Sequence, residues 1–189
     1  MQELRTEDMT HLLVPDFKES DYYCFYHELL HNRELKEAAE RKGYHIAFFP
    51  HPYLQPYADL FADGEDVTIL GLGTDYREVY EESALFVTDY SSAITDAVYL
   101  ERPVIYAQFD REQVFSGAHT FKEGYFDYER DGFGEVETTL EGVIQRMIEY
   151  IENDCRMKEQ YRKRADRFFA FRDQKNCQRL YDKIMEEHP

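Results

Sequence analysis

Leu85-Phe-Val-Thr-Asp89-Tyr-Ser91-Ser92-Ala-Ile-Thr-Asp96-Ala97 runs from a short apolar stretch into two hydroxyl residues that open a helical pattern. A strand ending at Thr88-Asp89 and turning into a helix at Ser91-Ser92 gathers free backbone N–H groups, two hydroxyls and the positive end of a helix dipole at one point. Such a point is an anion site. Serine is also a preferred helix cap, so one of the pair can be doing no more than closing the helix. A reciprocal capping box wants Glu or Gln three residues after the cap, and Ile94 and Thr95 stand there instead. The second hydroxyl is left without a structural task.

Working outward, strand and helix signals alternate. Upstream, residues 11–15 read as a short strand, and Ser20-Asp21 starts a helix with Tyr22, Phe25, Tyr26, Leu29 and Leu30 at helical spacing, ended by Gly43. Residues 44–49 form the next strand, stopped by Pro50-His51-Pro52, and residues 67–70 another, stopped by Gly71-Leu72-Gly73; a helix follows over 76–82. Downstream of the strand at 85–89, a helix covers 91–100 and a strand 103–109, while 110–137, aperiodic and rich in aromatics and acids, reads as a long functional loop. From Thr138 the pattern is helical to the end, broken near Asn153-Asp154 and Arg172-Asp173. Strands spaced by helices, several nearly continuous in apolar residues, predict an α/β fold: a Rossmann-like parallel sheet with helices on both faces. The expected division is a disordered leader at 1–9, a Rossmann-like domain over 10–153 and C-terminal helices over 154–189 packing on it.

Composition narrows the function. With 189 residues, 43% apolar and 16% aromatic, the chain has material for a sizeable core. The 39 acidic against 22 basic residues give a formal charge of −17, which opposes nucleic acid and anionic membranes as partners. Any phosphate site is therefore local. Cys24, Cys155 and Cys177 are an odd number with no C-x-x-C pair, which fits reduced thiols inside the cell. No apolar run approaches the roughly 20 residues that span a bilayer, and the acidic N-terminus is no signal peptide.

Ligands of such sheets sit outside the carboxyl ends of the strands. There stand His51, the loop Gly71-Leu72-Gly73-Thr74, the run Asp89 to Ser92, and Asp110. His51 is the one histidine of seven that falls at a strand end, and its flanking prolines hold it rigidly. Several familiar motifs are excluded. Tyr76 occupies the place of the third glycine in a dinucleotide fingerprint, and Asp89 and Ala93 occupy the two glycine positions of a hydrolase nucleophile elbow. His27-Glu28-Leu-Leu-His31 does match the zinc-peptidase pattern H-E-x-x-H, but no third ligand stands at a familiar interval and both imidazoles fall off the apolar face of their helix, toward solvent. A zinc metallopeptidase is the weaker alternative reading.

Phe49-Pro-His51-Pro, the run from Leu85 to Asp96, Arg102-Pro-Val-Ile and Gly124-Tyr-Phe-Asp127-Tyr-Glu129 together resemble the CDP-glycerol glycerophosphotransferases of teichoic-acid synthesis, over roughly residues 10–185. The resemblance implies the C-terminal, donor-binding half of a GT-B enzyme. Such an enzyme transfers glycerol phosphate from CDP-glycerol, or ribitol phosphate from CDP-ribitol, to a hydroxyl of a growing polyol-phosphate chain, releasing CMP. On the matching positions it implies His51 as the catalytic histidine, Asp89, Ser91 and Ser92 at the donor phosphates, and Gly71, Leu72, Gly73 and Thr74 near the cytidine. Asp96, Lys122, Asp127 and Arg130 are supporting candidates, with no metal required although these carboxylates suit a divalent ion. Family members carry a further His-Gly motif in a preceding domain, and no His-Gly pair occurs in this sequence. The expectation is a partial enzyme or a non-catalytic nucleotide-binding module, cytoplasmic or at the inner membrane face, partnered by its own missing N-terminal domain.

Overall fold

Val104–Ala107 forms strand β4, and its four residues are all buried, as the continuous apolar run demands. In this computed structural model residues 16–62, 67–118 and 124–187 are described. The expected leader, the expected strand at 11–15 and Lys122 lie outside the described residues. Strand β3, Phe86–Thr88, pairs parallel with β4 on one side, with Phe86 opposite Val104 and Thr88 opposite Tyr106. On its other side lies β5, Gly134–Glu137, also parallel. A second parallel ladder joins β1, Ile46–Phe48, to β2, Val67–Ile69.

The pleat of β4 sorts the helices into two layers. Val104 and Tyr106 point into a cluster with Phe133, with Ile94, Ala97 and Val98 of α4 (Ile94–Tyr99) and with Ala165 of α7 (Glu159–Phe168). Ala107 joins the opposite cluster, built from α1 (Asp21–Leu30), α2 (Arg33–Lys42) and α6 (Leu140–Glu152) packed on Phe48 and Val67. Leu35 and Val143 in that layer are completely buried, each stabilising the fold by roughly 2 kcal/mol on transfer grounds. Helices cover both faces of a parallel sheet, as the apolar runs implied. Beyond Arg172-Asp173 the chain continues as α8, Asn176–Glu187.

Two expectations change. The single helix read from Ser20 to Gly43 is two helices, because Asn32 accepts the Leu35 N–H at 2.9 Å and starts α2 afresh. The long loop over 110–137 contains a short helix α5, Arg111–Gln113, a π turn at Val114–Ala118, and β5. Gly-Glu-Val-Glu has almost no strand signature; tertiary partners make it a strand. Glu135 takes Lys158 Nζ at 2.6 Å and the Tyr150 hydroxyl at 2.8 Å, and Glu137 takes Arg146 Nε at 3.0 Å. Gly134 permits the close approach, since a Cβ there would lie 1.8 Å from the Val104 carbonyl oxygen.

Candidate functional site

The turn after β3 is stitched to the loops around it. Asp89 Oδ1 accepts the Tyr90 N–H at 2.6 Å, the Tyr90 hydroxyl donates to Asp110 Oδ1 at 3.1 Å, and the Tyr128 hydroxyl donates to the Tyr90 carbonyl at 3.2 Å. Three stretches far apart in sequence thus meet at one end of the sheet. Burial, followed by the charge and hydrogen bond of Asp110, pushes the Tyr90 hydroxyl far above the usual phenol range, so it remains a donor. Tyr22 of α1 comes close to the same carboxylates, and its hydroxyl is raised by burial first and then by Asp89 and Asp110.

Ser91 and Ser92 do not open the helix. It begins at Ile94, with Ala93 in the cap position, and the Ser92 carbonyl accepts both the Thr95 N–H at 3.1 Å and the Thr95 hydroxyl at 2.9 Å. Six residues make so short a helix that its dipole adds little, and the turn ahead of it is exposed. Ser91 Oγ accepts the Ala93 N–H at 3.3 Å. Among the described residues, neither the N–H groups of Ser91 and Ser92 nor the Ser92 hydroxyl has a hydrogen-bond partner.

His51 sits at the end of β1, exposed, capping the 3-10 helix Pro52–Phe61 by accepting the Tyr53 N–H on Nδ1 at 3.3 Å. A neutral imidazole accepting at Nδ1 carries its proton on Nε2, which therefore presents a donor. Gln55 Nε2 donates to the carbonyls of Pro50 and Leu70 at 3.3 and 3.2 Å and clips the ends of β1 and β2 together. The Gly71–Thr74 turn next to it closes with Thr74 N–H on the Gly71 carbonyl at 3.0 Å. A Cβ on Gly71 or Gly73 would meet nothing within 4 Å, so no neighbouring group requires glycine there; what the glycines leave is room for something to approach the backbone. An aromatic path joins this region to the serines. Phe49 packs on Tyr76 at 4.9 Å, Tyr76 lies 6.4 Å from Tyr80, and the Tyr80 hydroxyl donates to the Ala93 carbonyl at 2.9 Å.

The other candidates are placed differently. Asp127 Oδ1 accepts the Arg130 N–H at 2.6 Å and Asp131 Oδ2 accepts the Asp127 N–H at 3.0 Å, so Asp127 closes a turn. Arg130 is neutralised by Asp131 through Nε at 2.9 Å and Nη2 at 2.5 Å, which leaves it poorly placed to recruit phosphate. That pair, together with the Asp127 N–H, lowers the Asp131 carboxyl from 3.8 to about 2. A depressed carboxyl supports its turn fully above its unfolded value and gives that support up as pH falls through the folded one. The Asp131 carboxyl is therefore expected to titrate with a midpoint of about 2 when its own side-chain carbon is followed by NMR, and a midpoint at the ordinary 3.8 would show the clasp is not formed. Asp96 lies exposed on α4, where its charge contributes, after burial, to raising Tyr80.

The H-E-x-x-H match loses its helix. α1 ends at Leu30 and His31 is its cap, with Nδ1 on the His27 carbonyl at 2.8 Å and its ring stacked on that of His27 at 4.4 Å. With Nδ1 on that carbonyl and Nε2 buried, His31 holds no nitrogen open to an ion. The imidazoles are also half-buried instead of facing solvent as the helical phase suggested, and Glu28 is exposed.

Residues 4–186 match the family described as CDP-glycerol:poly(glycerophosphate) glycerophosphotransferase. The chain belongs to that family. Among its relatives is the minor teichoic acid biosynthesis protein GgaB of Bacillus subtilis, 36% identical over 172 residues that make up 91% of this chain and 18% of GgaB. The teichoic acid ribitol-phosphate primase of Bacillus spizizenii is 28% identical over 80% of this chain and 37% of the primase. The wall teichoic acid polymerase TagF shares the fold with a TM-score of 0.62 at 22% identity, over 84% of this chain and 38% of the TagF chain. The chain thus spans well under half the length of these glycerophosphotransferase relatives. No helix among the described residues is long and apolar enough to cross a membrane.

Two residues around this turn escaped the sequence reading. Tyr90 lay inside the quoted run, but a tyrosine next to serines carries no signal of a bond to an aspartate twenty residues away. Gln108 did leave one, as the polar residue interrupting the apolar run 103–109.

Proposed function

We propose that this chain is the donor-binding half of a CDP-glycerol or CDP-ribitol polyol-phosphate transferase. The observation that carries the reading is the exposed Ser91-Ser92 turn, whose N–H groups have no partner among the described residues, fixed through Tyr90 to Asp110 and Tyr128, in a chain that matches the family over nearly its whole length. The pyrophosphate is held by the two serines and their N–H groups, beside Asp89, and the cytidine lies along Gly71 to Thr74. Residues 10–153 bind the donor, and α7 packs on them through Ala165, whereas no residue of α8 is buried.

In the reaction an acceptor hydroxyl forms a new P–O bond, the P–O bond to CMP breaks, and the acceptor proton leaves. Positioning and charge stabilisation do most of this work in phosphoryl transfer. With Nδ1 engaged by Tyr53, His51 contributes through Nε2–H, donating to the phosphoryl oxygen on which charge builds; the proton-accepting group then belongs to the companion N-terminal domain of the same protein. The site needs no metal for these contacts. A CDP-alditol donor supports a cytoplasmic site of action, at the inner face of the membrane in the full-length protein. Calorimetry with CDP-glycerol and CDP-ribitol tests the reading: binding of one of them by this chain at millimolar concentration or below is expected. Silence with both sinks it.

A further inference from the structure

Gln108 is wholly buried, yet neither its Nε2 nor its Oε1 meets a hydrogen-bond partner among the described residues. A buried carboxamide left unpaired is costly, and nearly all such groups in folded proteins are satisfied. This one stands at a telling place. The ladder of β4 and β5 runs on through the Gln108 N–H, which donates to the Glu137 carbonyl at 2.8 Å, so the pleat of β4 still governs its direction. By that alternation Gln108 emerges on the same face as Tyr106. The Tyr106 ring packs on Tyr128 at 5.0 Å, and Tyr128 holds the Tyr90 carbonyl just ahead of Ser91. Thr88 lies opposite Tyr106 at the end of the β3–β4 ladder, and just beyond it the two chains leave the sheet side by side, one into the turn at Asp89–Tyr90 and the other at Gln108. Among the described residues, the unpaired amide thus stands at the same end of the sheet as the turn whose own N–H groups have no partner.

We propose that Gln108 is a donor-binding residue whose carboxamide takes up its hydrogen bonds when a diphosphate occupies the Ser91-Ser92 turn, across a bridging water where it does not reach directly. It rests on the reading of that turn as the donor site. In the free chain Gln108 costs stability, and in the bound chain it orients the phosphates. Sites that bind polar ligands commonly carry this trade of stability for function.

The test is a pair of measurements on the same variants: thermal unfolding without ligand, and calorimetry with CDP-glycerol and CDP. Gln108→Met keeps length and volume and removes both polar atoms. Its ligand-free Tm is expected to equal or exceed that of the natural chain, while both ligands bind at least about tenfold more weakly. Gln108→Glu is expected to weaken them further, because a carboxylate would face phosphate. A purely structural amide would behave in the opposite way. A lowered Tm in Gln108→Met, with or without weaker binding, overturns the proposal, and so does unchanged affinity. If the natural chain binds neither ligand, the donor site itself is refuted and this assignment with it; if it binds and Gln108→Met binds equally, Gln108 alone is refuted.

Discussion

His51→Ala, made in an intact transferase containing this chain, is expected to lower turnover by roughly two to four powers of ten while CDP-glycerol stays bound within about tenfold. The separation follows from the geometry. His51 caps the 3-10 helix after β1, whereas the donor phosphates are assigned to the turn after β3, on the neighbouring ladder. Losing an interaction made chiefly as charge develops lowers kcat with little effect on ground-state binding. The two roles open to an imidazole are then told apart by replacement. If His51 acts through Nε2–H, His51→Gln, whose amide N–H reaches a similar position, recovers part of the lost rate. If instead His51 takes the acceptor proton, glutamine is as inactive as alanine, because a carboxamide is no base. Loss of donor binding with turnover at saturation intact would make His51 a binding residue.

The Ser91→Ala, Ser92→Ala double variant is expected to reverse that pattern. Two hydroxyl contacts to an anionic diphosphate contribute together about 3 kcal/mol, so the affinity for CDP-glycerol should fall roughly a hundredfold by calorimetry. Folding should be nearly untouched, since both side chains are exposed and the helix begins after them at Ile94. An affinity within about threefold of the natural chain would move the phosphates away from this turn. The backbone N–H groups survive both substitutions, so binding is expected to weaken rather than vanish.

The sequence by itself determined the element types and their order. β1 and β2 come from apolar runs closed by proline and glycine, as at Phe48 before Pro50 and at Ile69 before Gly71, and the helices carry caps such as Ser20 and Thr139 whose side chains accept N–H groups three residues on. These are local effects, set by burial periodicity and by hydrogen bonds within one turn of chain, and they are legible without neighbours. It also placed His51, the Gly71 loop and Ser91-Ser92 at strand ends, because a parallel sheet puts its carboxyl ends on one side. Only the tertiary structure decided the rest. β5 is a strand because Lys158, Tyr150 and Arg146 satisfy its glutamates and glycine lets it close on β4. Arg130 is withdrawn from any phosphate because Asp131 lies in its path, and Tyr90 acquires a role because Asp110 and Tyr128 converge on it. Each of these rests on charges and hydroxyls brought together across long stretches of chain, where the outcome depends on partners that no local pattern of residues names.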